Sequence, residues 1–273
     1  MHKEVMCLDK NGIYIDGEEY KSDTQFSSDV QNNLFEIEDK SWWFQYRAKV
    51  IESFASVYFD KTKLTVDIGG GNGYTTSILS KLGFNMGLLE PSYQACVNGK
   101  KRQIPYVKNG SIEDMDHPID QYMLLDVLEH IEDDDKFLDL IYGKMNLGGV
   151  LLITVPASMS LWSREDLIAG HFRRYKKDEI CDKLVNHGFE VLYENYFFSF
   201  LYVPIKILRV WLGRFKKRNL GRVDNSGRST NDLMLGNFFV YKILWLVEKL
   251  ELKRLISRKN VPFGSSILIV CKK

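Results

Sequence analysis

Apolar and polar positions alternate along most of the chain in two rhythms. Short apolar runs are separated by longer segments in which apolar residues recur at helical spacing. The runs are typical of buried strands, and the segments between them are typical of amphipathic helices. Strands are predicted at residues 63–68, 84–90, 104–107, 120–128, 148–156 and 189–197, and helices at residues 74–82, 92–101, 133–145 and 176–187. This alternation predicts an α/β fold built from βαβ units, with helices on both faces of a parallel sheet.

The beginning of the chain follows a different pattern. Residues 3–21 place an Asn-Gly and an Asp-Gly pair between short alternating runs, which predicts a small β-meander. Residues 22–33 are mostly polar and are predicted to be a connector. We therefore divide the chain into an N-terminal β appendage with its connector, residues 1–33, and a main domain, residues 34–273.

The main domain is predicted to open with a helix over residues 41–59, for which Ser41 is a suitable N-cap. Three aromatic residues at its start, Trp42, Trp43 and Phe44, are interpreted as packing residues. A lid over a bound ligand is the alternative for them.

The rhythm of strands and helices stops after Phe197. Two long helices rich in aromatic and aliphatic residues are predicted at residues 198–218 and 231–257, followed by a closing strand. They form a helical insertion, residues 198–260, before the last strand. The first of them also carries the basic residues Arg209, Arg214, Lys216, Lys217 and Arg218. Aromatic and basic residues together are typical of a helix on an anionic membrane surface, so peripheral membrane contact through residues 198–218 is one prediction. A helical hairpin packed on the sheet is the other.

Composition narrows the functional classes. The chain has 273 residues, a net charge of +1 and four cysteines without a Cys-x-x-Cys pair. The near-neutral charge gives no reason to expect a nucleic-acid partner. The cysteine pattern excludes a zinc ribbon or a disulfide framework and suits a reducing cytoplasm. No signal peptide or membrane span is expected either. We predict a cytoplasmic location, with contact to the inner face of the membrane left open.

A glycine-rich turn follows the first strand of the main domain, in the sequence "VDIGGGNGYTT" of residues 66–76. A phosphate-binding P-loop requires a lysine after the glycines, and none is present. A dinucleotide-binding loop requires a third glycine where this chain has Tyr74. The observed form, with Asp67 ending the strand and glycines at 69, 70, 71 and 73, resembles motif I of the class I S-adenosylmethionine (SAM)-dependent methyltransferases.

The resemblance continues in order along the chain. Glu90 ends the second strand, "NGSIED" follows the third, "LLDVLEHIED" occupies the fourth-strand position and "LGGVLLITVP" the fifth. It covers residues 42–197 and resumes at residues 261–273. It implies a Rossmann-like, doubly wound, seven-stranded sheet and SAM as the cofactor.

The resemblance also implies a set of cofactor-binding residues. Glu90 takes the ribose position, and a carboxylate there can accept hydrogen bonds from both hydroxyls of a ribose. Gly69 and Gly71 let a ligand lie against the backbone. The remaining residues of the set are Asp67 near the amino-acid part of the ligand, Ser111 and Ile112 at the adenine, and Asp126 after the fourth strand.

Transfer to a hydroxyl requires positioning and a base near neutral pH, and histidine meets the second requirement best. His130 follows the fourth strand and His171 follows the fifth, so both are candidate catalytic residues. Arg173 and Arg174 are candidates for holding an anionic part of the acceptor. The stretch around them resembles a subgroup associated with cell-envelope and polysaccharide genes. We predict O-methylation of a small-molecule, saccharide or lipid-linked acceptor.

Two alternatives stay open. Asp126, Glu129, His130 and His171 resemble the Glu-x-x-Glu-His…His magnesium site of small-RNA 2′-O-methyltransferases. An aspartate replaces the first glutamate here, and the chain lacks a basic nucleic-acid face, so no metal is predicted. The other alternative is a SAM-binding protein without catalysis that acts as an interaction module.

Overall fold

The structure is a computed structural model that describes residues 6–16, 28–216 and 238–273; it leaves out the side chains of residues 208–216 and 238–243. Within this part of the chain, nine strands form one sheet in the order β1-β2-β5-β4-β3-β6-β7-β9-β8. The strands are β1 Met6–Leu8, β2 Tyr14–Asp16, β3 Thr65–Ile68, β4 Met86–Glu90, β5 Tyr106–Asn109, β6 Ile119–Leu125, β7 Met145–Pro156, β8 Glu190–Phe197 and β9 Ser266–Lys272.

The central strands from β5 to β7 run parallel, and β9 runs antiparallel to both of its neighbours, β7 and β8. Every residue of β3 and β4 is buried. Strands covered on both faces require continuous apolar runs, which is the pattern that the sequence shows. Because the parallel strands end at one edge of the sheet, the loops after them meet there.

Helices cover both faces of the sheet. They are α1 Ser28–Glu38, α2 Trp42–Tyr58, α3 Tyr74–Lys81, α4 Tyr93–Lys101, α5 Asp134–Lys144, α6 Arg164–Ile168, α7 Lys177–Asn186, α8 Ser199–Lys216 and α9 Phe238–Ile256. One core packs α5 and α7 against the sheet through residues such as Leu138 and Ile180. The other packs α2, α3 and α9 through residues such as Ile51, Leu79 and Leu255. The prediction of a doubly wound, Rossmann-like sheet is confirmed.

The N-terminal hairpin is part of this sheet. Strands β1 and β2 pair antiparallel, and β2 continues the main sheet through a parallel pairing of Tyr14 with Lys108. Ile13 and Ile15 are buried against α4 and β5, in a cluster with Cys96 and Val107. The hairpin therefore adds two strands to the seven that the sequence predicts, because its apolar residues find a partner surface at the sheet edge.

The prediction of a connector over residues 22–33 is wrong in its second half. Helix α1 begins at Ser28 and crosses the proposed boundary at residue 33. Glu38 of α1 lies 2.9 Å from Arg102, and both side chains are almost fully buried. Contacts with distant residues such as Arg102 hold this mostly polar segment in place.

The helical insertion is confirmed by α8 and α9, which lie within the predicted ranges. Lys217 and Arg218 lie outside the described residues, and the side chains of Arg209, Arg214 and Lys216 are also outside the description. Among the helices that the structure describes, none is long and apolar enough to cross a membrane.

A buried carboxylate ties the insertion to the main domain. Glu251 of α9 accepts hydrogen bonds from the Tyr46 hydroxyl at 2.6 Å, from the Phe198 backbone N–H at 2.8 Å and from the Ser199 backbone N–H at 2.7 Å. One side chain thereby joins α9 to α2 and to the start of α8. Such fully bonded buried carboxylates fix the relative position of the elements that they join.

Candidate active site

A groove runs along the edge where the parallel strands end. Within the described residues it contains three adjoining cavities of about 380, 560 and 280 Å³. We name them by their contents: the side cavity around Ser111 and Ile112, the loop cavity around the glycine turn, and the histidine cavity around His130 and His171. Gly69 is shared by the side and loop cavities. Trp43, Asp126 and His130 are shared by the loop and histidine cavities, so the three form a continuous path.

The glycine turn has two different functions at two positions. Gly71 has φ +56°, and a Cβ built there meets nothing within 4 Å, so its open side faces the loop cavity. Gly73 has φ +71°, and a Cβ there would lie 2.3 Å from Cδ1 of Ile104. Gly71 thus leaves room for a ligand, and Gly73 allows α3 and α4 to pack closely against the sheet.

Glu90 connects the end of β4 to this turn. Its carboxylate accepts the backbone N–H of Gly71 at 2.9 Å and that of Ser92 at 2.8 Å. Burial raises the pKa of Glu90 to about 7, although both hydrogen bonds act in the opposite direction. The side chain lines the loop cavity, where its remaining lone pairs are available to a ligand.

Asp67 lies beneath the same turn. Its Oδ2 accepts the Thr76 hydroxyl at 2.5 Å, while its buried Oδ1 has no hydrogen-bond partner among the described residues. Burial raises the pKa of Asp67 to about 6. An unpartnered buried carboxylate oxygen at the wall of a cavity indicates a place for a donor from a ligand.

Helix α1 completes the loop cavity, and no residue of this helix was predicted to belong to the site. Asn72 of the glycine turn donates from its amide to the Gln31 carbonyl and to Glu38 Oε1, both at 3.1 Å. It accepts a hydrogen bond from Asn98 at 3.0 Å. Leu34, Gln31 and Glu38 all line the cavity. The turn is therefore clamped between α1 and α4.

Asp126 lies at the border between the loop and histidine cavities. Its backbone has φ +56°, and its Oδ2 lies 2.6 Å from Nη2 of Arg47. The Thr154 hydroxyl donates to its other oxygen at 3.2 Å. Arg47, which the sequence did not single out, comes from α2 and also lines the loop cavity. The carboxylate predicted to meet the cofactor is thus held by a cation from a different element.

The side cavity contains Ser111 and Ile112, as the sequence predicts. Most of its other walls are apolar, including Ile68, Leu89 and Phe137. The Ser111 hydroxyl donates to Asp114 at 3.0 Å and caps the short 3-10 helix that follows. The space is suited to a flat apolar ring.

The histidine cavity brings both predicted histidines together. The ring centroids of His130 and His171 lie 4.6 Å apart, with the rings nearly perpendicular. Nδ1 of His171 lies 3.0 Å from Oδ1 of Asp166, and Nε2 lies 4.0 Å from Oε1 of Glu129. Burial and the neighbouring His171 lower the pKa of His130 to about 4.

Glu129 is the most unusual group in this cavity. It is 1% exposed, and neither carboxylate oxygen has a hydrogen-bond partner among the described residues. Burial, reinforced by the charge of Asp126, raises its pKa well above the usual range. One ligand atom each from Glu129, His130 and His171 lies within 4.8 Å of the others, a spacing that can hold a metal ion.

The two predicted arginines are placed differently. Arg174 lines the histidine cavity, with Nε 2.7 Å from Asp166 and Nη1 donating to the Ala157 carbonyl at 3.3 Å. Arg173 lines none of the three cavities and lies 2.9 Å from Asp134. The structure therefore brings Arg174 into the site and places Arg173 beside α5.

The three aromatic residues at the start of α2 have different surroundings. Trp42 packs edge-on against Phe198 and Phe200. Trp43 stacks on Phe198 with ring centroids 5.7 Å apart and lines the loop and histidine cavities, and Phe44 lines the loop cavity. Trp42 is a packing residue as predicted, whereas Trp43 and Phe44 form cavity walls.

A family model described as "Methyltransferase domain" matches residues 43–194, which is more than half of the chain. The chain belongs to this methyltransferase family. The match begins at Trp43 and contains the glycine turn, Glu90 and both histidines of the site. A methyltransferase domain therefore covers most of the residues that line the three cavities.

Solved structures support the fold of this methyltransferase. Phosphoethanolamine N-methyltransferase 2 of Haemonchus contortus, in complex with S-adenosyl-L-methionine, is similar with a TM-score of 0.54 and 16% identity over 92% of this chain and 58% of that chain. The chain thus spans less than two thirds of that relative. A putative methyltransferase of Haloferax volcanii, solved with the Trm112 activator, gives a TM-score of 0.54 and 13% identity over 88% and 93% of the two chains. The plantazolicin methyltransferase BamL is similar with a TM-score of 0.53 and 16% identity over 89% of this chain and 90% of that chain. No curated protein matches this chain in sequence.

The cavities of this methyltransferase fit SAM on three observations. The open side of Gly71 adjoins the Glu90 carboxylate, which suits a ribose with two donor hydroxyls. The unpartnered Oδ1 of Asp67 suits the donors of an amino-acid group. The apolar side cavity suits an adenine ring.

Proposed function

We propose that this methyltransferase acts on the oxygen of a small-molecule, saccharide or lipid-linked acceptor, with His171 as the general base. The observation that carries the proposal is the contact of His171 with the buried Asp166, in a cavity that shares Trp43, Asp126 and His130 with the glycine turn. An acceptor in the histidine cavity would therefore lie next to a cofactor in the loop cavity.

The cofactor is assigned to the loop and side cavities. Glu90 holds the ribose, and the Gly69 and Gly71 backbone lies along the nucleoside. Asp67 and Asp126 are assigned to the amino-acid part, and Ser111 and Ile112 to the adenine. When bound, SAM supplies a methyl group on a sulfonium centre. The protein contributes mainly position and a dry environment to such an in-line transfer.

His171 is the better base of the two histidines. Asp166 accepts the proton of Nδ1, which leaves Nε2 as the acceptor that takes a proton from a hydroxyl. His130 has a pKa of about 4 and bonds to the backbone carbonyls of Ala169 and Gly170. A base with so low a pKa removes a hydroxyl proton poorly at neutral pH. We assign His130 to positioning the loop that carries His171.

Arg174 completes the acceptor side of the proposal. Its guanidinium lines the histidine cavity and is held by Asp166, so it presents positive charge beside the proposed base. An anionic acceptor, or a hydroxyl that develops negative charge as it loses its proton, is stabilised there. Arg173 has no part in the proposal, because it lines none of the three cavities and pairs with Asp134 beside α5.

A second candidate function, metal-assisted methyl transfer, is favoured by Glu129. Its two unpartnered oxygens and the nearby nitrogens of His130 and His171 form a ligand set of the type that binds divalent cations. In that case His171 is a ligand and not a base. The two candidates differ in their dependence on a divalent cation, which chelation measures.

The proposed function is tested by calorimetric titration followed by an acceptor screen. SAM and S-adenosylhomocysteine are titrated first, and radiolabelled SAM is then offered with phenols, saccharides and isoprenoid phosphates. Transfer to a hydroxyl that is lost in His171→Gln supports the proposal. Binding of SAM without transfer to any acceptor, or transfer to an amine only, contradicts it. The first of these outcomes favours a non-catalytic interaction protein.

We also propose a cytoplasmic location. None of the four cysteines forms a disulfide in the described part of the chain, and Cys96 and Cys271 are buried. Free thiols persist in reducing compartments. Detection of any of these cysteines as a disulfide in protein purified without reductant contradicts this assignment.

A further inference from the structure

Helix α9 turns its acidic residues toward the protein and its apolar residues toward solvent. Glu248 and Glu251 are 5% and 4% exposed, whereas Trp245, Leu246 and Leu250 are 53%, 53% and 56% exposed. On a helix of 3.6 residues per turn, these two sets lie on opposite faces. We call the second set and its basic neighbours the outward face of α9.

The acidic residues have structural partners on the inner face. Glu251 bonds to Tyr46, Phe198 and Ser199, and Glu248 lies 3.6 Å from Lys49. Their burial is explained by these contacts. The exposure of a tryptophan and two leucines on the same helix has no such explanation among the residues that the structure describes.

The outward face is also basic. Lys249, Lys253 and Arg254 are exposed on it, and Arg258 and Lys259 follow it directly. Within residues 244–260, which the structure describes with their side chains, no acidic residue is exposed. Nζ of Lys249 lies 3.6 Å from the ring centroid of Trp245, so basic and aromatic groups share one patch.

We propose that the outward face of α9 docks on an anionic membrane surface. Leucine and tryptophan side chains at this exposure can enter the boundary between headgroups and acyl chains. The lysine and arginine side chains extend their apolar stems along it and place their charges at the lipid phosphates. An anionic lipid supplies the negative charge that the exposed residues among 244–260 do not carry.

The charge of the patch disfavours the other occupants. A second copy bound through the same face would bring Lys249 and Lys253 against their own symmetry mates, and like charges in contact are unfavourable. A nucleic acid would use the basic residues but leave Leu246 and Leu250 without a function.

This surface differs from the one that the sequence suggested. That prediction concerned residues 198–218, of which Val203, Pro204, Lys206 and Ile207 are exposed within the described side chains. Helix α9 joins the same region through the bond from Ser199 to Glu251. Ile205 of α8 lines the histidine cavity, so the docking helix is bonded directly to an element of the site.

Co-sedimentation of the full chain with lipid vesicles tests the proposal. Vesicles of phosphatidylcholine alone are compared with vesicles that also contain phosphatidylglycerol, at low and high salt. We expect binding only to the anionic vesicles, and weaker binding at high salt. Lys249→Gln with Lys253→Gln is expected to lower the partition coefficient about thirtyfold, since each basic residue near the surface contributes about 1 kcal/mol. Leu246→Ser with Leu250→Ser is expected to lower it at least about tenfold.

Matched controls come from exposed residues elsewhere. Lys10→Gln with Lys40→Gln removes the same charge, and Leu147→Ser with Val185→Ser removes the same kind of exposed apolar side chain. Both controls are expected to bind as the parent does, and thermal melting verifies that all variants fold.

Three outcomes overturn the proposal. The first is equal binding of the α9 variants and the parent, and the second is equal binding of the parent to neutral and anionic vesicles or to neither. The third is a dimer of the parent, seen by sedimentation equilibrium, that the Leu246 and Leu250 substitutions dissociate. That result assigns the face to a second copy of the chain.

Discussion

Nδ1 of His171 lies 3.0 Å from Oδ1 of Asp166, a buried oxygen that Nε of Arg174 also contacts at 2.7 Å. Although burial acts to raise the pKa of Asp166, the hydrogen bonds from His171 and Arg174 hold it well below its usual range. The carboxylate therefore stays ionised at neutral pH. The ionised Asp166 accepts the hydrogen bond of Nδ1 and so fixes the ring of His171. In this orientation Nε2 is directed to the proposed methyl acceptor.

The first prediction concerns this histidine. His171→Gln is expected to lower kcat by about a hundredfold or more, because the general base is lost. The affinity for SAM is expected to stay unchanged, since His171 lines the histidine cavity and neither of the two cavities assigned to the cofactor.

His130→Gln serves as the comparison for this experiment. It is expected to cost less in kcat, because His130 is already neutral at pH 7 and acts through the position of its loop. A large loss of kcat in His130→Gln together with normal turnover in His171→Gln reverses the assignment.

The second prediction concerns Glu90 and pH. Glu90→Ala is expected to weaken SAM binding by about fiftyfold, the equivalent of roughly 2–3 kcal/mol for a charge-assisted contact. In the parent, the pKa of about 7 means that the carboxyl is protonated below this pH. If binding requires the carboxylate, SAM affinity should decrease as pH falls, to about a tenth of its high-pH value at pH 6.

Calorimetry in buffers of different ionisation enthalpy measures the proton that SAM binding releases. Glu90→Gln is the control variant, since it keeps the shape of the side chain and cannot titrate. Its residual pH dependence reports Asp67, whose pKa is about 6. A parent whose SAM affinity is flat from pH 6 to pH 8 contradicts the assignment of Glu90 to the ribose.

The third prediction concerns metal. Activity is expected to survive extensive dialysis against EDTA, because no metal is predicted for the reaction. Glu129→Gln is expected to keep most of the activity, since glutamine keeps the size and shape of the side chain and the proposed transfer uses no metal ligand at this position. Loss of activity with EDTA, rescue by magnesium or manganese and inactivity of Glu129→Gln would instead establish the metal-assisted function.

The fourth prediction concerns the stability of the glycine turn. Gly73→Ala is expected to destabilise the fold by about 1–2 kcal/mol for its left-handed backbone and by a further 1–3 kcal/mol for the clash with Ile104. Gly83→Ala has a similar φ of +86° with nothing within 4 Å of the added Cβ. Gly83→Ala is therefore expected to lower the free energy of unfolding by only the roughly 1–2 kcal/mol of the left-handed backbone. Urea unfolding of both variants gives the difference, and equal losses mean that Ile104 moves aside without cost.

The parts of the fold that the sequence predicts are those in which local pattern and tertiary structure agree. β3 and β4 are buried throughout and mostly apolar because both of their faces are covered. The glycines follow β3, and Glu90 ends β4. Their arrival at one edge follows from parallel topology alone. The side and loop cavities could therefore be predicted in outline.

The parts that could not be predicted depend on partners far apart in the chain. Helix α1 is polar, and its place depends on Arg102 and Asn72. The ion pair of Arg47 and Asp126 joins α2 to the end of β6. Nothing in the sequence around either residue indicates that the two are partners. Arg173 and Arg174 are neighbours with the same chemistry, and only the loop geometry sends one to Asp166 and the other to Asp134.

The position of β9 determines when the sheet can be completed during synthesis of the protein. β9 lies between β7 and β8 and is bonded to both, yet it is the last strand of the sheet to leave the ribosome. Until it emerges, β8 has no neighbour in the sheet and β7 keeps an open edge of backbone donors and acceptors. At roughly 5–20 residues per second, the intervening helices take on the order of several seconds to translate. The nascent chain therefore carries an unpaired, strongly apolar edge during that interval, whereas a complete chain that refolds from denaturant can close it at once.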